Sequence, residues 1–183
     1  MIRRIAEIIP ERRVDPKKLG WLSGKRAETR ANFPANFEYV DLRGFTLADL
    51  AAELDFEEAA YRDLELKGFS QASIDEIDRK QSTASAAPVV DFGVASAVVA
   101  LSAFGCIPVT SCRGPTLGRR LHSQPAPMVV FYARASHVPL LLEAVSQSGC
   151  QIVNNDAKVE IYADELIKLH RFSMEMLRLM QHA

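Results

Sequence analysis

The sequence predicts an α+β fold, in which a C-terminal domain of order α-β-β-α-β-β-α follows a helical N-terminal extension. Apolar residues recur with helical spacing in three C-terminal segments, and four short apolar runs typical of strands lie between them. The chain has 183 residues, of which 48% are hydrophobic, so it is long enough to bury a core. We divide it into a basic arm with an acidic helical region (1–80), a linker (81–88) and the α+β domain (89–183).

Charge is unevenly distributed over the N-terminal region. Residues 1–30 carry nine basic and four acidic side chains, whereas residues 31–80 carry five basic and twelve acidic ones. We expect the basic arm to dock on the acidic segment, in the same chain or in a partner. Binding of an RNA backbone through the release of counterions is the alternative.

Three helices are predicted in the acidic segment. The first begins at the N-cap Thr46, the second ends at Gly68, and the third runs from Ser70 or Ser73 to Lys80. The spacing over 46–64 resembles a helix-turn-helix. The second helix of that motif is acidic, however, and carboxylates are repelled by DNA phosphates. The acidic face therefore argues against DNA binding.

The linker Gln81–Pro88 is small and polar and shows no periodicity. The order of the helices and strands that follow the linker is the basis of the predicted fold class. The predicted elements are a helix capped by Asp91 and ended by Gly105, strands Ile107–Ser111 and Met128–Ala133, a helix from Ser136 or Pro139 to Gly149, strands Cys150–Val153 and Lys158–Tyr162, and a last helix from Asp164 to about Gln181.

The candidate binding site is the end of the first strand together with the polar loop Cys112–Pro127. Its polar strand-end residues emerge from an apolar strand, its glycine permits backbone amides to face a ligand, and its basic residues supply positive charge. We expect an anionic or polar ligand there. The candidate ligand-binding residues are Thr110, Ser111, Cys112, Arg113, Gly114, Arg119, Arg120 and His122. Asp91 is interpreted as a helix cap, and the alternative is that it also faces the site and binds the ligand.

Cysteine chemistry is left open by the sequence. Cys112 is a candidate nucleophile if Arg113 and His122 lower its pKa. The three cysteines (Cys106, Cys112 and Cys150) cannot all pair, which favours a reducing, cytoplasmic location. No C-x-x-C pair is present, so we predict no metal site. We expect no membrane span and no signal peptide.

Two segments carry a resemblance to a known family. Val90-Asp-Phe-Gly-Val94 followed by Val109-Thr-Ser-Cys-Arg-Gly114 resembles the signature of the wybutosine-synthesising methyltransferase family, V-D-x-x-V and then T-S-S-C-x-G-R. It is also similar to small domains with a strand-terminal S-C-x-G-H motif. The resemblance implies an α/β fold that uses S-adenosylmethionine on a tRNA guanosine derivative. The matching positions are Asp91, Ser111, Cys112 and Gly114, whereas Thr110 and Pro115 depart from the signature.

Three functions follow from these observations. The first is a non-enzymatic binding or interaction protein, with a protein partner or self-association. The alternative is a methyltransferase-like enzyme that uses S-adenosylmethionine on RNA or a nucleotide. A DNA-binding regulator is the third.

Overall fold

The computed structural model describes residues 11–22, 44–87, 90–117 and 124–182. These residues form five α-helices and one five-stranded mixed sheet, which confirms the α+β class. The helices are α1 (Leu47–Lys67), α2 (Gln71–Ala84), α3 (Ala95–Ala103), α4 (Val138–Ser148) and α5 (Leu166–Gln181); the strands are β1 (Arg12–Arg13), β2 (Ile107–Cys112), β3 (Met128–Tyr132), β4 (Gln151–Asn155) and β5 (Lys158–Tyr162). The predicted C-terminal order is confirmed as α3-β2-β3-α4-β4-β5-α5.

The sheet has the order β1-β4-β5-β3-β2. Its four C-terminal strands pair antiparallel, whereas β1 pairs parallel with β4. The β4–β5 hairpin turns at Asp156, whose φ of 51° is left-handed. β4 runs to Asn155, two residues further than the sequence predicted, whereas β5 has the predicted bounds. β3 is buried along its whole length, which explains its continuous apolar run.

The described part of the basic arm contacts the edge of the sheet. Arg12 and Arg13 pair with Ile152 and Val153, and the Arg12 Nε donates to the carbonyl of Cys150 at 3.2 Å. The described part of the arm therefore lies on the sheet, where the charges did not place it, and docking on the acidic segment of a partner stays a prediction. An edge strand offers unpaired backbone groups, and pairing with them outweighs the attraction between solvated side chains.

Helix α1 is one continuous helix of 21 residues. The predicted capping box is confirmed, because the Thr46 hydroxyl accepts the Asp49 N–H and the Asp49 carboxylate accepts the Thr46 N–H. The helix-turn-helix spacing over 46–64 was misleading, since no turn interrupts these residues. The sequence there contains neither Gly nor Pro, and the buried stripe continues at spacings of three and four through Leu50, Glu53, Leu54, Glu57, Ala60, Tyr61 and Leu64.

Helix α2 extends four residues into the predicted linker. Gln81 is buried, and its amide donates to the Glu53 carboxylate at 3.2 Å and to the Ala87 carbonyl at 3.4 Å. The prediction of a linker beginning at 81 was therefore wrong, because a contact with α1 stabilises a helical turn of weak local propensity. The irregular segment begins at Ser85.

Helix α3 begins at Ala95, so the prediction of Asp91 as its N-cap was wrong. The Asp91 carbonyl accepts the Val94 N–H at 3.2 Å and forms a separate turn. Gly93 gives this turn a φ of 88°, and a Cβ at Gly93 would lie 2.3 Å from the Leu166 side chain. Glycine at this position therefore permits both the turn ahead of α3 and the close packing against α5.

The core lies between the sheet and a layer of helices in which α3 contacts α1, α5 and the sheet. α3 is apolar on all sides and nearly every residue in it is buried. On the opposite side of the sheet, Leu22 packs with Ile107 and Tyr132 in a smaller cluster. Among the described helices, none is both long and apolar enough to cross a membrane.

Candidate functional site

The end of β2 carries three of the predicted site residues. Thr110, Ser111 and Cys112 are half-buried and pair with Val130, Val129 and Met128 of β3. An irregularity between Pro108 and Thr110 shifts the register, as a bulge does. The three polar residues therefore lie at the end of β2, as the sequence predicted, and β2 itself is buried only at its first two residues.

Arg113 is completely buried and makes an ion pair within the protein. Its Nη1 and Nη2 donate to the two carboxylate oxygens of Asp78 on α2, at 2.7 and 2.9 Å. Burial opposes the charge of Arg113, but the hydrogen bonds and charge of Asp78, with the charge of Asp91, raise its pKa overall. This bidentate geometry ties α2 to the end of β2.

Gly114 has a structural reason for being glycine. Its φ is 63°, and a Cβ there would lie 2.7 Å from the carbonyl carbon of Ala126 and 2.8 Å from the Pro127 nitrogen. Its N–H donates to the Cys112 sulfur at 3.3 Å. The close approach of two backbone segments, rather than a ligand, accounts for this glycine.

The structure brings Asp91 and Arg113 close enough for their charges to interact, together with Cys112. Arg119, Arg120 and His122 lie outside the described residues. The two other cysteines (Cys106 and Cys150) are buried, and burial raises the pKa of the Cys150 thiol to about 12. Among the described residues, no three His, Cys, Asp or Glu side chains are grouped so as to hold a metal.

A polar cluster that the sequence analysis missed joins α1, α3 and α5. Glu57 is completely buried and accepts the Ser96 N–H at 3.1 Å. Its second oxygen lies 2.7 Å from the Ser96 hydroxyl and 3.0 Å from the His170 Nδ1. The Ser96 hydroxyl also lies 3.0 Å from that of Ser173.

This cluster contains a serine, a histidine and a glutamate, but it lacks the geometry of a catalytic triad. In a triad the histidine lies between the nucleophile and the acid, whereas here Glu57 lies between Ser96 and His170. All of these side chains are buried. The cluster therefore cross-links three helices, and the signal that could have found it is the position of Glu57 within the apolar stripe of α1.

A second buried acid lies one turn earlier on α1. Glu53 accepts hydrogen bonds from the Ser85 hydroxyl at 2.6 Å, from the Ala86 N–H at 2.8 Å and from Gln81. Burial raises the pKa of Glu53, the Ser85 hydrogen bond opposes this, and the charge of Glu57 adds to it. Glu53 thus holds the chain that follows α2 against α1.

An open groove of about 260 Å³ lies between α1 and α5. Each helix contributes one face to it, at spacings of three and four residues. Its floor is largely apolar, and Met174 is 52% exposed there. The groove is lined by Ala51, Leu54, Asp55 and Glu58 of α1 and by His170, Met174, Leu177, Arg178 and Gln181 of α5.

Comparisons with known proteins identify no relative: no family model, no curated protein and no solved structure matches this chain. The resemblance to the methyltransferase family stays a prediction. The described residues form an open groove between α1 and α5, whereas a ligand site at the end of β2 stays a prediction.

Proposed function

We propose that this protein is a non-enzymatic interaction module of the cytoplasm, which binds a protein surface at the α1–α5 groove. The observation that carries the proposal is the groove itself, with its apolar floor, its charged rim and the half-exposed Met174. Exposed apolar surface with a polar rim is typical of protein contact sites, in which methionine is enriched.

The charge balance at the end of β2 favours the groove, rather than this strand end, as the binding site. Arg113 was expected to attract an anionic ligand, but both of its outer nitrogens donate to Asp78. An anion at that position would have to compete with a carboxylate that is already bound in bidentate geometry. Thr110 and Ser111 remain candidates for contacts with an uncharged polar ligand.

The proposal is tested by blocking the groove with charge. Met174→Glu places a carboxylate on its floor, whereas Leu66→Glu changes a side chain that is 86% exposed and does not line the groove. We would measure the association state of each protein and select binders from a displayed library of helical peptides. The proposal predicts self-association or peptide enrichment that Met174→Glu abolishes and Leu66→Glu retains. A monomer that enriches no peptide relative to Met174→Glu contradicts it.

The methyltransferase alternative is tested on the same protein by a thermal-shift screen with S-adenosylmethionine, nucleotides and short RNAs. A ligand at 100 times its dissociation constant adds about 2.7 kcal/mol of stability, which raises the melting temperature by several degrees. We expect no shift with S-adenosylmethionine. A shift with it would favour the enzyme over the interaction module.

A further inference from the structure

We propose that His137 is a pH-sensitive switch, which releases the end of the basic arm from the rest of the protein when it takes up a proton. The arm end is residues 20–22. The contacts that carry the proposal lie at the start of α4, a helix that does not line the α1–α5 groove. The switch is therefore independent of the proposed function.

The arm end is held less firmly than the part of the arm before it. There, β1 pairs with β4, and the Asp15 backbone exchanges two hydrogen bonds with the Asn154 side chain. At the arm end, one backbone hydrogen bond joins the Gly20 N–H to the Ala157 carbonyl at 2.8 Å. The other described contacts of the arm end are made by side chains.

The side chain of Trp21 lies against the residues that precede α4. The Arg134 guanidinium lies 4.3 Å from the centroid of the Trp21 ring. The centroid of the His137 ring is 6.2 Å away, and the two ring planes meet at 71°. The Phe104 ring, 4.8 Å from His137, is its second aromatic neighbour. His137 is therefore half-buried among two rings and a cation.

The hydrogen bonds of His137 fix where its proton is. Its Nδ1 accepts the Arg134 N–H at 3.3 Å. Because a backbone N–H can only donate, this nitrogen carries no proton. The Cys106 sulfur lies 3.4 Å from the same nitrogen, and burial raises the pKa of the Cys106 thiol, which stays protonated. A proton on Nδ1 would point a donor at a donor, so the imidazolium cannot keep this hydrogen bond.

The surroundings of His137 also oppose a positive charge. Burial and the charge of Arg134 lower the pKa of His137 from its ordinary value of 6.5. The attraction between a cation and an aromatic ring extends to about 6 Å from the ring centroid. Arg134 lies within this distance of Trp21, whereas His137 does not. The contact with Trp21 therefore does not replace the hydration that an imidazolium needs.

Movement of the arm end accommodates the proton. Phe104 packs against the main core, whereas Trp21 belongs to a segment with one backbone hydrogen bond. When Trp21 leaves, water reaches the imidazolium, and the released state takes up a proton more readily than the docked one. Release is therefore favoured as the pH falls below 6.5. It also removes Leu22 from the small apolar cluster on the sheet.

Tryptophan fluorescence of the full chain tests the switch, because Trp21 is its one tryptophan. We would record the emission maximum and its quenching by iodide from about pH 8 to about pH 5. We expect emission at longer wavelength and stronger quenching as the pH falls below 6.5. The far-ultraviolet circular dichroism should stay constant over the same range, because the helices are retained.

Two variants and one control assign the change to His137. His137→Gln has no titratable group at this position, so its emission should stay constant over this range. Arg134→Gln removes the neighbouring charge from an exposed side chain, so its transition should move to a higher pH. The matched control is His182→Gln, which changes an exposed histidine after α5 and should retain the transition of the wild type.

A wild-type emission maximum that does not change with pH overturns the proposal, as does a change that His137→Gln retains. A loss of circular dichroism over the same pH range also overturns it, because Trp21 would then report unfolding of the whole protein. If His137→Gln does not fold, Arg134→Gln decides, and a midpoint equal to that of the wild type overturns the proposal.

Discussion

Replacing Asp78 with alanine removes the carboxylate that neutralises Arg113, the largest completely buried side chain among the described residues. Breaking a buried ion pair in this way costs about 3–5 kcal/mol, because a charge remains in a medium that solvates it poorly. For a chain of this length, that is a fall in melting temperature of roughly 6–20 °C. Arg113→Met should cost less, about 1–3 kcal/mol, because the Asp78 side chain is 21% exposed and stays hydrated.

Urea unfolding followed by circular dichroism measures both free energies. The matched control is Glu76→Ala, two residues away on the same helix, which removes exposed ion pairs with Lys80 and Lys67. Exposed pairs contribute less than about 1 kcal/mol, so the control should barely change stability. If Asp78→Ala lowers the free energy of unfolding no more than Glu76→Ala does, Asp78 does not neutralise Arg113. Arg113 would then again be a candidate for binding an anionic ligand.

Three further predictions concern the reactivity of the cysteines, the backbone at Gly114 and the protonation of His137. Of the three thiols, Cys112 should react with a disulfide reagent at pH 8 in the folded protein, whereas the two buried cysteines should react only after unfolding. Rapid reaction of all three thiols in the folded protein would contradict the burial of Cys106 and Cys150. Gly114→Ala should destabilise the protein by about 1–3 kcal/mol in urea unfolding, because of its positive φ and close backbone contacts; an unchanged midpoint would contradict this. Burial and the charge of Arg134 lower the pKa of His137 below 6.5, so the unfolded chain takes up a proton first and stability should fall as pH falls below 6.5. A His137→Gln variant with the same pH dependence would contradict this assignment.

The sequence predicted the C-terminal elements well because their signals are local. Gly149, which ends α4 in the left-handed conformation, is an example of a residue that acts within its own turn. The element boundaries that were predicted wrongly are those that depend on a contact with a residue distant in the sequence. The turn ahead of α3 packs Gly93 against the Leu166 side chain, and the Glu53 carboxylate extends α2 through Gln81. Neither contact is visible in the local pattern.

The same reason limited the prediction of the site. The polar residues at the end of β2 lie where the strand pattern placed them. Asp78, however, is 35 residues away from Arg113 in sequence, and nothing local marks it as the partner of a buried arginine. The α1–α5 groove was missed because the sequence pattern divided α1 into two helices and because the groove exists only where the fold brings α1 and α5 together.

The pairing of β1 with β4 also has a consequence for the order of events during synthesis. Arg13 pairs with Val153, so this strand must wait for about 140 further residues. At a translation rate of roughly 5–20 residues per second, the wait is on the order of 10 s, far longer than a helix or a hairpin needs to form. The first described strand of the chain is therefore among the last parts to reach its place, and the edge of β4 is closed only when nearly all of the polypeptide has been made.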